Sequence, residues 1–540
     1  MFHEFDRRSV VRLGLAGAGL AALPAGVFAQ LLPARGFTHG IASGDPGHDN
    51  VLLWTRFVGS GDAPVPLLVE VAEEPGFGRI VARAEGSAAA SSDWCAKLRA
   101  TGLTPGKWYF YRFTGLDGSV SPVGRTRTLP QGKVDRFNIA VFSCSNKGFG
   151  YFNAYAHAAA RADLDLIVHV GDYFYEYKRG IYPTVAEEVG ARVPKPLNEL
   201  IALDDYRTRY ADYRTDPDLL ALHRNFPMIS IWDDHEFAND AWTGGAENHQ
   251  PDEGPWEDRK AHAKQAYHEW LPVAERSYNR YDIGDLVTLL VLDTRVEGRE
   301  KQLDLVPALK GGKEGLIAFR DGAWSDPKRT LMGFEQEKWV TDELKSSVRS
   351  GARWQLLAQQ IVMGKQVTPK AAADWLGPNP GKEALGYVQA GIAAASVGLP
   401  GNLDSWGGYE SARNRLLSAA QEAGTSLVVV SGDSHNAWAN DLAHGGKPAG
   451  VEFAGQGVTS PGYESALAAD PLVVAAGLVA ANPELKWCDT ARRGYVTVSF
   501  TPEAARADWV FMADVKVPGT ATSKGQAAVA RRGRNVMELV

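Results

Sequence analysis

A strand–helix–strand pattern that begins near Asp135 places the strongest constraint on the fold of this chain. Residues 137–142 form a continuous apolar run, residues 151–161 have the composition of a helix, and residues 166–170 form a second apolar run. Continuous apolar runs of this length are typical of strands that are buried on both faces. The pattern therefore predicts an α/β domain in which the loops that follow the strands gather at one edge of a largely buried sheet.

Comparable apolar runs recur through the rest of the chain, at residues 228–232, 287–292, 354–361, 427–430, 451–454, 495–500 and 509–513. Several of these runs are followed by polar, glycine-rich or acidic residues. We expect the α/β domain to extend over residues 135–515 and residues 516–540 to form a C-terminal tail.

The segment from 35 to 130 has a different character. Short alternating runs are separated by turn residues at the interval typical of a small β-sandwich, at residues 51–54, 67–71, 80–84, 97–101 and 108–114. Residues 103–112 have the pattern of a turn and strand of a fibronectin-like or immunoglobulin-like module. We find no catalytic cluster in this segment, and we expect residues 129–132 to form the linker to the α/β domain.

Composition excludes several classes of protein. The chain has 540 residues, of which 45% are hydrophobic and 22% charged, which is typical of globular proteins and not of disordered chains or multi-span membrane proteins. Lys and Arg number 57 against 64 Asp and Glu, so the formal net charge is −7. No overall basic field is available to hold a resident nucleic acid.

The first 29 residues have the features of an export signal. Adjacent arginines, Arg7 and Arg8, precede a weakly hydrophobic stretch at residues 13–29 that ends in Val27-Phe28-Ala29. This order predicts a twin-arginine signal peptide at residues 1–29, with a mature chain that starts near Gln30. The stretch is shorter than the ~20 residues that span a bilayer, so no stable membrane anchor is expected. We expect export by the twin-arginine machinery to the periplasm or the extracellular space.

Four of the predicted strands are followed by residues that can bind a metal ion. These residues are Cys144 after the first strand, Asp172 and Tyr175 after the second, Asp234 and His235 after the third, and Asp433 and His435 after a late strand. No single cluster defines a metal site. All four can converge at one sheet edge, where ligand sites of α/β proteins lie.

These residue types suit the hydrolysis of a phosphate ester by two metal ions about 3.5–4 Å apart. Asp172 is the natural bridge between them, and a Tyr175 phenolate favours a hard trivalent ion, chiefly Fe(III). Asp433 and His435, two residues apart, can serve neighbouring metals, and Asp234 offers oxygen to a harder divalent ion.

Structural alternatives exist for several residues near these clusters. Cys144 taken alone is more typical of a small buried hydrophobic residue. His169 lies inside a strand and is expected to be a packed histidine, and Trp232 is expected in the core. Glu236 is expected to cap a backbone or to form a salt bridge.

The chain resembles the PhoD-like family of secreted alkaline phosphatases and phosphodiesterases, within the calcineurin-like metallophosphoesterase superfamily. The resemblance covers nearly the whole chain, and its motifs are FSCSN, HVGDYFYEY, WDDHEFAND, SGDSHNAWAND and VEFAGQGVTSPG. It implies a four-layer α/β/β/α domain and a secreted enzyme that hydrolyses phosphate monoesters, diesters or both through a metal-bound hydroxide.

The resemblance also implies the ligands of an Fe(III) and calcium site. Cys144, Asp172, Tyr175 and His435 would bind iron; Asp172, Asp234 and Asp433 would bind calcium, with Asn239 as a further ligand. His235 matches the catalytic histidine of the superfamily and would protonate the leaving alkoxide. The isolated histidine ligand of the superfamily has no match, and Gln360 stands at the comparable strand end.

Three questions stay open at the level of sequence. The same scaffold can serve a phospholipase D-like diesterase or a phosphotriesterase, because pocket walls and not the metals select the ester. A catalytically inactive secreted binding protein is the alternative of a different class. If Cys144 binds a metal, Cys95 and Cys488 remain as partners for a disulfide.

Overall fold

The computed structural model describes residues 34–540, and the predicted signal peptide lies outside the described residues. The strands are β1 (Gly36–Gly44), β2 (Val51–Val58), β3 (Val65–Ala72), β4 (Ile80–Ala88), β5 (Cys95–Ala100), β6 (Trp108–Gly115), β7 (Gly124–Arg127), β8 (Phe137–Phe142), β9 (Leu166–His169), β10 (Pro227–Ser230), β11 (Asn279–Ile283), β12 (Val287–Val291), β13 (Trp354–Ala358), β14 (Leu427–Ser431), β15 (Ala437–His444), β16 (Lys447–Ala454), β17 (Leu485–Asp489), β18 (Gly494–Phe500), β19 (Ala504–Met512), β20 (Thr522–Arg531) and β21 (Met537–Leu539).

The α-helices are α1 (Asn153–Ala159), α2 (Leu203–Tyr213), α3 (Pro217–Asn225), α4 (Trp256–Trp270), α5 (Val306–Lys310), α6 (Gly312–Phe319), α7 (Gly333–Arg349), α8 (Lys382–Ala395), α9 (Glu410–Ala423) and α10 (Pro471–Ala481). Every apolar run predicted as a strand contains a strand, although the predicted run at 354–361 ends at Ala358. The sequence did not predict β1, β7, β11, β15, β17, β20 or β21.

Two large sheets face each other and form the centre of the α/β region. One sheet has the strand order β21-β20-β19-β18-β8-β9-β10-β1-β2-β5, and the other has the order β11-β12-β13-β14-β16-β15-β17. Both contain parallel strands, including β8-β9-β10 in the first and β12-β13-β14-β16 in the second. The carboxyl ends of parallel neighbours lie at the same sheet edge.

The strands are apolar on both faces because each sheet is covered on both sides. In β8, Ile139 and Val141 pack in the core between the two sheets, and Ala140 and Phe142 pack against helices on the other face. Helices α1–α4 cover the first sheet, and α7 and α9 cover the second. The expected α/β/β/α layering is therefore present.

The segment before residue 130 contributes two facing sheets. Strands β1, β2 and β5 pack across a common core from a separate sheet with the order β4-β3-β6-β7. Strand β1 also pairs with β10 in parallel, with Ser43 opposite Pro227 and Gly44 opposite Met228. One sheet of the N-terminal segment therefore continues directly into the first large sheet.

The C-terminal residues also belong to a sheet. The segment 516–540, which we expected as a tail, contains β20 and β21, and β20 pairs with β19 in an antiparallel ladder. Its alternation of apolar and polar residues is weak, and pairing with an existing strand stabilises it. No helix among residues 34–540 is long and apolar enough to cross a membrane.

The cysteines of the described chain are unpaired. Cys95, Cys144 and Cys488 are free and buried. Cys95 packs with the helices that cover the first sheet, and Cys488 packs in a separate core with α10. The Cys95–Cys488 disulfide, left open by the sequence, is therefore not formed.

Candidate metal centre

The four motif clusters meet where the carboxyl ends of parallel strands from both large sheets come together. Strands β8, β9 and β10 are neighbours in the first sheet and β14 belongs to the second. Each strand ends two to four residues before its cluster begins, so the sheet topology brings all four clusters to one place. The convergence expected from the sequence is observed.

The loops after β9 and β10 approach each other very closely at Gly171. A Cβ atom on Gly171 would lie 2.3 Å from Asp233 Cβ, and its φ is +103°, so only glycine fits. Four residues of the clusters also have positive φ values between 52° and 62°, which is uncommon outside glycine: Cys144, Asp172, Asp433 and His435. Backbone strain of this kind is concentrated at functional sites.

Ligand atoms of these loops form three overlapping groups, in each of which all atoms lie within 4.8 Å of one another. The groups are Cys144, Asp172 and His435; Asp172, Asp234 and His235; and Asp233, Asp234 and Asp433. Asp172 belongs to the first two groups, and Asp234 belongs to the second group and to the all-carboxylate third group. The chemistry of the donors differs from one end of the centre to the other.

At the first end, Tyr175 extends toward Asp172 and His435. Its hydroxyl donates to Asp172 Oδ2 at 3.0 Å and lies 2.9 Å from His435 Nε2, and Ser460 Oγ donates to it at 2.7 Å. His435 Nδ1 lies 2.9 Å from the carbonyl oxygen of Pro461. A proton on Nδ1 leaves Nε2 free to accept or to bind a metal.

Burial sets the protonation of these groups in the absence of a cation. Burial, followed by the charge of Asp172, raises the pKa values of the Cys144 thiol and the Tyr175 hydroxyl well above their usual range. Burial, Arg493 and His235 lower the pKa of His435 to about 3, so that its imidazole is neutral. A bound cation would reverse the first two shifts and favour thiolate and phenolate ligands.

Three buried carboxylate oxygens of the centre have no hydrogen-bond partner among residues 34–540: Asp172 Oδ1, Asp233 Oδ2 and Asp234 Oδ1. Burial raises the pKa values of Asp172 and Asp433, against the opposing charges of His235 and Arg295 respectively. Unpartnered buried carboxylate oxygens are costly, and a metal ion would satisfy them. The donor set therefore fits a metal centre.

His235 is held by a buried carboxylate that the sequence did not identify. His235 Nδ1 lies 2.7 Å from Glu176 Oε2, and Glu176 Oε1 accepts hydrogen bonds from Asn239 N and Asn248 Nδ2. Burial lowers the pKa of His235, but Asp234, Asp172 and Glu176 outweigh it and raise the pKa well above 6.5. In the absence of a bound cation, these charges therefore favour the protonated form of the His235 imidazole.

Two further side chains of the centre were not predicted. Asp233 completes the third ligand group, and its place beside Asp234 in the WDDHEFAND motif is the sequence signal that identifies it. Arg295 is fully buried and donates to Asp233, Asp404 and Asp433. It lies outside every motif, and only the fold reveals its role.

The remaining expected residues have distinct positions. Asn239 lies beside this centre, and its side-chain amide donates to Glu247 at 3.2 Å. Gln360 accepts from Thr294 and donates to the carbonyls of Trp232 and Leu292, so both ends of its amide have partners in the protein.

The expected structural roles near the clusters are confirmed. Glu236 accepts from the backbone N–H groups of Asp172, Tyr173 and Asp233 and thereby ties two ligand loops together. His169 is packed and lies 2.9 Å from the Tyr155 hydroxyl, and Trp232 is a core residue.

The family models match nearly all of the described chain. Residues 139–509 match the "PhoD-like phosphatase" model, and residues 24–130 match "PhoD-like phosphatase, N-terminal domain". The chain belongs to the PhoD-like phosphatase family. The resemblance suggested by the motifs is thus confirmed, and the chain is a phosphoesterase, a hydrolase of phosphate esters.

Two relatives support the same assignment. "Alkaline phosphatase D" of Bacillus subtilis (strain 168) is 33% identical over 576 aligned positions, which include 100% of this chain and 90% of the relative. The solved "Structure of PhoD" is 30% identical, with a TM-score of 0.76, over 94% of this chain and 92% of the other. The similarity in fold extends through the N-terminal and the α/β segments.

Proposed function

We propose that this PhoD-like phosphatase is an exported enzyme that hydrolyses phosphate monoesters and diesters with Fe(III) and calcium. The observation that carries the proposal is the pair of unlike ligand groups that share Asp172. One adds a thiol and an imidazole to Asp172, with a phenol nearby, and the other adds the Asp234 carboxylate and the His235 imidazole and shares Asp234 with the all-carboxylate group. Thiolate and phenolate suit Fe(III), and carboxylate oxygens suit calcium.

The proposed ligands follow this division. Iron would be held by Cys144, Asp172, Tyr175 and His435, and calcium by Asp172, Asp234, Asp433 and Asn239. When bound, the two ions supply positive charge to the phosphoryl oxygens and a water activated for attack. Every other role belongs to side chains of the chain itself.

His235 is the proposed general acid. Glu176 Oε2 lies 2.7 Å from Nδ1 and stabilises the protonated imidazole, and one ring nitrogen lies within 4.8 Å of a carboxylate oxygen of Asp172 and one of Asp234. The proton would pass to the departing alkoxide as the P–O bond breaks. Glu176 orients the ring through Nδ1, and Glu236 keeps the loops of Asp172 and Asp233 at a constant separation.

The metal proposal is tested by elemental analysis and visible spectroscopy of the purified mature protein. We expect iron and calcium, with an absorption band from thiolate or phenolate bound to Fe(III). Tyr175→Phe should shift or weaken a phenolate band, and Tyr213→Phe, whose buried hydroxyl accepts from the Lys147 backbone N–H, is the matched control. An active preparation that contains only zinc would contradict the proposal.

The preferred ester is tested by measuring rates on a monoester, a diester, a triester and a phospholipid under the same conditions. We expect the monoester and diester to be the best substrates. A phospholipid or triester rate that exceeds both would favour the phospholipase D-like or phosphotriesterase alternative.

We also propose the domain limits and the route of export. Residues 1–29 would form a twin-arginine signal peptide, residues 35–130 a β-sandwich domain, and residues 135–540 the catalytic domain, since β20 and β21 pair within its sheet. The protein would then reside in the periplasm or outside the cell. Replacing Arg7 and Arg8 by lysine should retain the precursor inside the cell, as measured by fractionation.

A further inference from the structure

A buried arginine connects two loops of the metal centre to a third loop beside it. Arg295 follows β12, and its guanidinium is fully buried. Nε donates to Asp233, Nη1 donates to Asp404 Oδ2 at 2.6 Å, and Nη2 donates to Asp433 Oδ1 at 2.7 Å. Because the three donors point in fixed directions, one side chain sets the relative positions of three carboxylates.

The carboxylates bound by Arg295 overlap with those of the third ligand group. Asp233 and Asp433 belong to that group. Its third member is Asp234, and Arg295 Nη2 lies 3.7 Å from Asp234 Oδ1. Asp404 is outside the group and is also bound by Arg299. A cation bound by this group would therefore share its oxygens with a guanidinium that keeps its charge at any accessible pH.

We propose that Arg295 is a positioning residue that assembles the acidic group before metal binds and that weakens calcium binding by sharing its carboxylates. The inference rests on the calcium site proposed above. Without metal, Arg295 offsets the repulsion among buried carboxylates. When calcium is bound, the positive charge of Arg295 repels it. Calcium therefore binds this preformed site less tightly than it would bind the same carboxylates without the arginine.

The test compares thermal unfolding of the full mature enzyme in EGTA and in CaCl2, together with calcium titration by calorimetry. We expect Arg295→Gln, which removes the charge, to lower the Tm in EGTA much more than in CaCl2. We expect its calcium dissociation constant to fall by about tenfold or more. Arg295→Lys, which keeps the charge but loses the planar fork, should lower the Tm in both buffers and keep the calcium affinity within about threefold of the native value.

A matched control separates these effects from the general cost of removing a buried arginine. Arg413 is equally buried, donates to Glu484 Oε2 at 2.6 Å and to the Met363 carbonyl, and contacts no residue of the ligand groups. Arg413→Gln should lower the Tm equally in the two buffers and leave the calcium affinity unchanged.

Equal losses of Tm in the two buffers for Arg295→Gln, or an unchanged or weaker calcium affinity, would overturn the proposal. A variant that folds in CaCl2 and not in EGTA would support it. If Arg295→Gln folds in neither buffer, the calcium affinity of Arg295→Lys tests the proposal instead. A tenfold weaker affinity in Arg295→Lys would show that the geometry of Arg295 promotes calcium binding, which would contradict the proposal. A native protein whose Tm does not respond to calcium would instead contradict the proposed calcium site itself.

Discussion

The Glu176–His235 pair offers a direct test of the proposed acid catalysis. Glu176→Gln removes one negative charge and preserves the shape of the side chain. The Asn239 N–H and the Asn248 amide both donate to Glu176 Oε1, so they hold the glutamine oxygen on their side. The new NH2 group of the glutamine then faces His235 Nδ1 and donates a hydrogen bond to it. This hydrogen bond favours the neutral tautomer that has no proton on Nδ1. The imidazole becomes neutral and a far weaker acid.

The magnitude follows from the 2.7 Å contact between His235 Nδ1 and Glu176 Oε2. A hydrogen bond to a charged group contributes about 1.5–3 kcal/mol. If the transition state loses the stabilisation that this hydrogen bond gives to protonated His235, kcat/KM for alkyl phosphates should decrease by about 10- to 150-fold. For p-nitrophenyl phosphate, whose phenolate leaves without a proton, the decrease should stay within about threefold.

The pH profile provides a second readout with a definite sign. The negative charge of Glu176 is one of the charges that raise the pKa of His235. Without it, His235 loses its proton at lower pH, so the alkaline limb of kcat/KM for alkyl phosphates should move down by about 1–3 pH units.

The assay compares kcat/KM for both esters from pH 6 to pH 10, with metal content measured in the same preparations. Glu199→Gln is the control, because Glu199 is paired with Arg259 and does not contact His235. Equal decreases on the two esters with metals retained would refute the role of the pair in proton donation.

The remaining predictions concern ligand, acid and core residues. Asp172→Ala should lose bound metal and all activity together, as measured by elemental analysis and phosphate release, because Asp172 joins two ligand groups. His235→Ala should keep both metals and lose about 100-fold or more on alkyl phosphates but less on p-nitrophenyl phosphate; loss of calcium would make His235 a ligand instead. Trp354→Ala should lower the free energy of unfolding by about 3–5 kcal/mol in urea titrations, because Trp354 is buried between the two sheets. A loss below about 1 kcal/mol would contradict this packing role.

Local features account for what could be predicted from the sequence. The apolar runs at 137–142 and 166–170 correspond to β8 and β9, because a strand covered on both faces requires a continuous apolar segment. The motifs identified Cys144, Asp172 and the later clusters because each follows such a strand. Strand β20 was missed because its exposed face and small residues carry little apolar periodicity.

The sequence by itself thus determined the fold class, the family and the loops that meet at the site, because these depend on residues close together in the chain. Only the tertiary structure decided that Glu176 orients His235, that Arg295 joins three acidic loops, and that β1 continues the first large sheet beside β10. Arg295 and Asp433 are separated by 138 positions, and their contact exists because β12 and β14 end at the same edge of one sheet. Contacts of this kind depend on topology and packing, which local sequence patterns and propensities do not specify.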